Sequence, residues 1–278
     1  MHSRFVGFEM GAGMSTRQSA MPDFGVPSPA RMYDYYLGGK DHFPADREAA
    51  ERVIAAYPQA RTLALANRRF LERAVKFLSG QGIRQFIDLG TGLPTSPNVH
   101  EVARQTVPDA RVVYVDYDPV VVLHSQAKRR VPGTAAVRAD VRSPEAIFAA
   151  PEVEELIDFG QPCGVLMMSV LHFIGGDIAP LVARYTDRLA PGSYLALSHV
   201  VTDGAAESAM TGVQEAYEAS PTDPAVRTSA AILELFSGFE LLPPGLTDVR
   251  TFTDPAFAYS PEKPAPGIWM LCAAGRKL

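Results

Sequence analysis

The sequence predicts an α/β fold: a doubly wound, mostly parallel sheet of seven strands behind an N-terminal helical cap. Three observations predict it. Beyond Gly82, short apolar runs alternate with helical stretches. Those runs are apolar throughout rather than on alternate residues, as strands covered on both faces must be. The first of them, "RQFIDLG", closes on glycine just where a helix is due. The chain of 278 residues is 47% hydrophobic and 21% charged, enough apolar material for one large core.

The cap is read first. "ARMYDYYLGG" is helical and ends at Gly38-Gly39, a natural C-cap. "PADREAAERVIAAY" opens with Pro44 at a first helical position and acids in its first turn. In "ARTLALANRRFLERAVKFLSGQG", Leu63, Ala66, Phe70 and Ala74, then Phe77 or Leu78, recur at helical spacing, and Gly80 and Gly82 end the helix.

The alternation then begins. "RQFIDLG" is strand one. "SPNVHEVARQTV" is a helix with Ser96 as N-cap and Pro97 next. "ARVVYVDYD" is strand two and "PVVVLHSQAKRR" a helix. "TAAVRADV" is strand three, followed by helical "SPEAIFAA" and "PEVEELID". "CGVLMMSVLHF" is strand four, "IAPLVARYTDRLA" a helix closed by Pro191-Gly192, and "SYLALSHVV" strand five. Two helical stretches follow, "AAESAMTGVQEAYEA" and "DPAVRTSAAILELFSG". The last two strands, "FELLPP" and "GIWMLCAAGRKL", are joined by a Pro-rich loop without a helix, which predicts an antiparallel pair at the sheet edge. The predicted division is a flexible arm over 1–28, a cap over 29–82 and a core domain over 83–278, cap and core forming one unit.

Composition excludes several functions. The formal charge is −5 and the densest basic run, "AKRR" at Ala127–Arg130, is too short for a nucleic-acid track, so it reads as a solvated helix end. Cys163 and Cys272 both lie in apolar runs with no Cys-x-x-Cys, which predicts buried free thiols in a reducing cytoplasm and no metal site. No run of about 18 apolar residues exists, so no membrane span is expected, and the N-terminal residues lack a signal-peptide core. The chain itself says nothing of oligomeric state.

The chemical signal is "FIDLGTGLPT", Phe86 to Thr95. A dinucleotide loop would carry a third glycine where Thr95 stands. The pattern acid-x-Gly-x-Gly fits as Asp88, Gly90 and Gly92, and a carboxylate there would repel a pyrophosphate but suit an ammonium group. That favours S-adenosylmethionine (SAM). Asp116, ending strand two, suits ribose hydroxyls. Asp118 beside it reads as a helix N-cap. Asp140 ends strand three, where it can meet the adenine amino group, and Ser169 to His172 end strand four. Leu89, Thr91, Tyr117 and Val141 flank these positions. Four strand ends thus carry ligand-binding groups on the carboxyl edge of the sheet, where open α/β sheets bind ligands.

"PARMYDYYLGGKDHFPADREAAE", "NRRFLERAV", "FIDLGTGLPTSPNVHEVA", "VVYVDYDPVVV" and "SVLHFI" together resemble the class I SAM-dependent methyltransferases. More narrowly they resemble an actinobacterial family of that class whose substrate is unknown. The likeness runs from Pro29 to Val201, and weakens after that. It implies a Rossmann-like sheet of order 3-2-1-4-5-7-6 with one antiparallel strand, SAM as methyl donor and S-adenosylhomocysteine (SAH) as product. Pro94, where the wider class often has a glycine, is ordinary in the narrower family.

Methyl transfer from a sulfonium needs positioning above all. If a base is used, His172 and His199 are the histidines nearest strand ends; each also reads as an imidazole bound to a loop backbone. His42 is a third candidate, while His100 and His124 fall within helices. Tyr33, Tyr36 and Phe43 can cover the cofactor or pack on the sheet. Lys40 and Arg68 can meet the methionine carboxylate and Asp41 the ammonium, or these charges form surface pairs. Glu215 and Tyr217 line a substrate pocket or a solvated helix face. The segment Tyr33–Asp41 is expected beside Gly90 as a lid that excludes water. The function predicted is methyl transfer to a small molecule. Its alternatives are a SAM-binding protein without turnover, a nucleic-acid methyltransferase and an NAD-dependent oxidoreductase.

Overall fold

The computed structural model describes residues 23–201, 207–250 and 269–278. Most of the N-terminal arm and the Pro-rich loop before the last strand lie outside the described residues, as does the start of the first late helix.

Three helices precede the sheet: α1 (Pro29–Tyr36), α2 (Pro44–Ala56) and α3 (Ala60–Gly80). Prolines open α1 and α2 where a missing N–H costs nothing. Gly38 follows α1 in a left-handed conformation (φ +79°) and Gly39 donates back to the Asp34 carbonyl at 2.9 Å. The core then runs β1 (Gln85–Leu89), α4 (Val99–Ala103), β2 (Arg111–Asp116), α5 (Pro119–Lys128), β3 (Thr134–Arg138), α6 (Pro144–Phe148), α7 (Pro151–Leu156) and β4 (Gly164–Met168). It continues through α8 (Ala179–Thr186), β5 (Tyr194–Val201), α9 (Glu207–Tyr217), α10 (Ser229–Glu234), β6 (Phe239–Leu241), β7 (Thr247–Asp248) and β8 (Trp269–Lys277).

The strand order is β3-β2-β1-β4-β5-β8-β6. β1 to β5 pair in parallel, and β8 runs antiparallel between β5 and β6. This is the expected arrangement with one addition: the two-residue β7, which pairs with β8 and makes the sheet eight-stranded. Thr247-Asp248 is too short to leave a periodic signal.

Three boundaries differ from expectation. Helix α4 is capped by Asn98, not Ser96: the Glu101 carboxylate accepts from the Asn98 backbone N–H, and Ser96 Oγ donates to that same carboxylate at 3.1 Å. β4 stops at Met168, and Leu171–Phe173 form a single 3-10 turn. Helix α10 begins only at Ser229, because Thr228 caps it through Ala231 N and Arg227 is drawn into a bridge with Val201.

Alternate strand residues feed two cores. Phe86, Val112, Tyr114, Leu166 and Ala196 pack under α3 and α4. Ile87, Leu89, Val113, Val165 and Leu197 pack on the opposite face with residues of α7, α8 and α10. A third, smaller core joins Met32, Tyr36, Ala49, Val53 and Ala64 to Ala216 and Tyr217. It places α1, α2 and the start of α3 against α9.

Candidate functional site

The glycine turn after β1 is folded back on β2: Gly90 N and Thr91 N both donate to the Val115 carbonyl, at 2.9 and 3.0 Å. Gly90 holds φ +69°, and a Cβ on it would meet Val170 at 2.4 Å, so no other residue fits. Gly92, at φ +63°, has open space where its Cβ would stand. Its N–H donates to Asp116 Oδ2 at 2.9 Å, while Asp118 N donates to Asp116 Oδ1 at 3.0 Å. Burial, reinforced by the charges of Asp118 and Asp88, pushes the Asp116 carboxyl up to about 6 despite these two bonds. Asp118 caps α5 through Val120 N at 2.8 Å, as expected. It also accepts a 2.7 Å bond from Ser28 Oγ, which ties the residue before α1 to the β2 turn.

Behind the loop stands a cation that the sequence reading placed in solvent. Arg129 is 3% exposed. It donates to Asn98 Oδ1 (2.8 Å), Thr91 Oγ1 (2.9 Å) and Ser125 Oγ (3.0 Å), and lies 4.0 Å over the Tyr114 ring. Thr91 Oγ1 in turn donates to Asp88 Oδ2 at 2.6 Å. Burial raises the Asp88 carboxyl above its ordinary range, while the Thr91 bond and the nearby Arg129 and Arg68 charges oppose that rise. Only Arg130 of the pair is exposed. A buried guanidinium leaves no periodic signature; the clue was Arg129 sitting four residues after Ser125 on a helix whose apolar face is buried.

The glycine loop, Asp88 and Asp116 border a cavity of about 260 Å³ at the carboxyl ends of the strands. Of the predicted residues, Asp88, Gly90, Thr91, Gly92, Asp116, Tyr117, Asp140, Val141, Ser169 and His172 line it, and so do Tyr33, Tyr36, Arg68 and Tyr217. Tyr33 and Tyr36 of the tyrosine helix therefore line the same cavity as Gly90, while Lys40 and Asp41 of the expected lid do not. Asp140 reaches the cavity with its carboxylate paired to Arg142, which holds it below the usual carboxylate range. Arg68 donates to the Thr95 carbonyl at 2.6 Å and also to that of Pro97, bracing the end of the glycine loop.

Other predicted residues are kept out. The Leu89 side chain is in the hydrophobic core, since the strand's alternation turns it inward. Lys40 is exposed and does not line the cavity. Asp41 is held by Lys128 Nζ and His124 on α5. Phe43 stacks on Phe24 at 4.3 Å, and Glu215 is exposed. His42 binds Asp34 at 2.9 Å, and His100 binds Tyr114 Oη at 2.7 Å.

The two candidate bases part company. His199 Nδ1 lies 2.6 Å from the Val200 carbonyl, and Nε2 lies 3.0 Å from an Arg227 nitrogen. Arg227 only donates, so Nε2 accepts and Nδ1 carries the proton. Both nitrogens are committed, and His199 does not line the cavity. His172 does. Its buried Nδ1 has no hydrogen-bond partner among the described residues, and its ring stands 5.4 Å from that of His199. Burial, with the neighbouring His199 and Arg227, pushes its pKa well below the ordinary value, so it is neutral near pH 7.

Sequence reasoning missed two further residues at this site. Asn67 lines the cavity and donates through Nδ2 to Tyr33 Oη (2.9 Å) and Ser169 Oγ (2.7 Å), joining α1, α3 and the end of β4. A polar residue four positions after Leu63, on the core face of α3, was the available signal. Arg227 donates to the carbonyls of Leu171, Ile174 and Gly176, and so fixes the turn that carries His172. Ser169 itself holds a strained left-handed φ of +53°, anchored by its N–H on Ser198 Oγ at 3.0 Å.

The residues present fit SAM. The bare backbone at Gly92 opens on the cavity, and buried Asp88, Asp116 and Asp118 cluster beside it. Such a site receives hydroxyl donors and positive charge, and repels a pyrophosphate. Among the described residues no group of His, Cys, Asp and Glu is gathered to hold a metal ion, and no helix is long and apolar enough to cross a membrane.

Comparison with known proteins agrees. The chain is 40% identical to a candidate methyltransferase from Thermobifida fusca, with a TM-score of 0.84 over 92% of this chain and 96% of that one. It is 38% identical to a DUF574 family protein from Streptomyces avermitilis, again with a TM-score of 0.84, over 92% and 99%. The plantazolicin methyltransferase BamL shares the fold alone, at 9% identity and a TM-score of 0.52 over 89% and 95%. No curated protein matches the chain. The sequence model of the S-adenosyl methyltransferase family matches residues 15–277, and the protein belongs to that family.

Proposed function

We propose that this protein transfers a methyl group from SAM to a small-molecule acceptor, with 29–82 acting as a cap on the core domain over 83–278. The observation that carries it is the Asp116 carboxylate, buried at the cavity and oriented by the N–H groups of Gly92 and Asp118. When bound, SAM supplies an activated methyl group on a sulfonium centre.

The residues around the cavity divide the work of holding it. Asp116 accepts hydrogen bonds from the ribose hydroxyls. Tyr117, Asp140 and Val141 border the adenine, and Asp88 with the Gly90–Gly92 loop takes the ammonium end. Arg68 stands where it can meet the carboxylate. Tyr33 and Tyr36 exclude water from above. His172, neutral and at the cavity wall, accepts a proton from the acceptor where that acceptor must lose one. The family assignment lends no support to the oxidoreductase alternative. The buried free thiols Cys163 and Cys272 suit the cytoplasm.

Calorimetric titration tests this. SAM and SAH are expected to bind with Kd of micromolar order. Asp116→Ala should weaken binding by roughly 1–3 kcal/mol through lost hydrogen bonds. Binding of NADH without binding of SAM would contradict the reading, and an Asp116→Ala protein of unchanged affinity would remove Asp116 from the site.

A further inference from the structure

The cavity wall joins two chemically different sets of groups. Its acids stand at the strand ends: Asp88, Asp116 and Asp140. Three further charged groups belong to the wall. Arg142 pairs with Asp140, Arg68 is bound to the carbonyls of the glycine loop, and Asp223 is exposed, its carboxylate packed beside Gly175. The cap helices and α9 contribute Val53 of α2, Leu63 of α3 and Val213 of α9 to the wall, and the rings of Tyr36 and Tyr217 belong to the same small core as Val53 and Val213. These five side chains are uncharged; Asp223, whose N–H donates to the carbonyl of the neighbouring Phe173 at 3.3 Å, lays an exposed carboxylate beside Gly175.

We propose that the methyl acceptor is an uncharged, hydroxyl-bearing aromatic compound seated against Val213 and Tyr217, between the cap helices and α9. The proposal rests on the methyl-transfer reading above. A charged acceptor would shed its hydration against these uncharged side chains, whereas an apolar body gains from burial there. A polyanion such as RNA is the least suited of all.

The walls also carry hydroxyls that call for a partner. Tyr36 Oη and Tyr217 Oη approach only to 3.5 Å, the outer limit of a hydrogen bond. Burial raises the pKa of both phenols, so both stay neutral. An oxygen of a neutral ligand would satisfy them better than they satisfy each other. The Phe173 ring lies 5.2 Å from that of Tyr217 at an interplanar angle of 56°, which forms an aromatic corner suited to a flat ring.

The experiment titrates the full chain first with SAH, then the SAH-loaded protein with four probes. 3-Hydroxyflavone and 1-hydroxyanthraquinone are neutral; dopamine and 3,4-dihydroxybenzoate are charged. The neutral probes are expected to bind with Kd below about 100 µM, and the charged ones at least about tenfold more weakly. Val213→Glu should weaken the neutral probes at least about tenfold while leaving SAH affinity unchanged, and Tyr217→Phe should weaken them several-fold. Tighter binding of a charged probe overturns the proposal, as does SAH binding with no neutral probe bound. Full probe affinity in Val213→Glu overturns it too. Failure to bind SAH instead overturns the methyl-transfer reading on which it rests.

Discussion

Asp116 holds a carboxyl whose pKa is lifted to about 6, chiefly by burial. Between about pH 4 and 6 the folded protein binds more protons at this group than the unfolded chain, so its contribution to stability falls as pH rises through that window. A ligand that donates hydroxyls, or carries positive charge, binds the ionised form. SAH affinity should therefore fall as pH drops through 6, by about tenfold at pH 5 relative to pH 8. Titrations at pH 5, 6, 7 and 8 check this, and a flat profile would show that the ligand does not meet Asp116. Single residues were legible where their type and strand-end position carried the meaning, as with Asp88, Asp116 and Asp118. They were not legible where function depends on a neighbour distant in sequence. His199 and His172 look alike in the chain, yet Arg227 occupies one and leaves the other at the cavity.

The elements that shape the site are the glycine loop and the helices on either side of it. Arg129 holds that loop to α4 and α5 through Thr91, Asn98 and Ser125, so its loss would strand several buried polar groups at once. Arg129→Met should cost about 3 kcal/mol in urea denaturation, while the exposed neighbour in Arg130→Met should change stability by less than about 0.5 kcal/mol. Equal effects would return Arg129 to the solvated face that its sequence context suggests. At the other side of the site, Asp46 receives the Ser28 N–H at 2.9 Å, the Phe43 N–H at 2.8 Å and Arg31 Nε at 3.1 Å, knitting the segment from Ser28 to α2 into one piece. That the tyrosine helix lines the same cavity as Gly90 was legible because that segment has no place in the strand-helix alternation. The fate of Lys40 and Asp41 was not, because their partners His124 and Lys128 are supplied by α5.

For the whole molecule, the parallel core was legible because β1, β2, β4 and β5 are largely apolar and buried, and each strand from β1 to β5 is followed by a helix. The antiparallel end was legible from the loop that replaces a helix. The two-residue β7 and the late start of α10 were not, because pairing with β8 and the Val201–Arg227 bridge decide them, and both are long-range. The same topology brings four strand ends, the cap and α9 around one cavity. SAM binding in that cavity is the central claim. A crystal structure of the protein grown with SAH tests it most directly. The nucleoside should lie against Asp116 and the amino-acid end along Gly90–Gly92, beneath Tyr33 and Tyr36. SAH bound elsewhere, or no SAH at millimolar concentration with the cavity open, would contradict it.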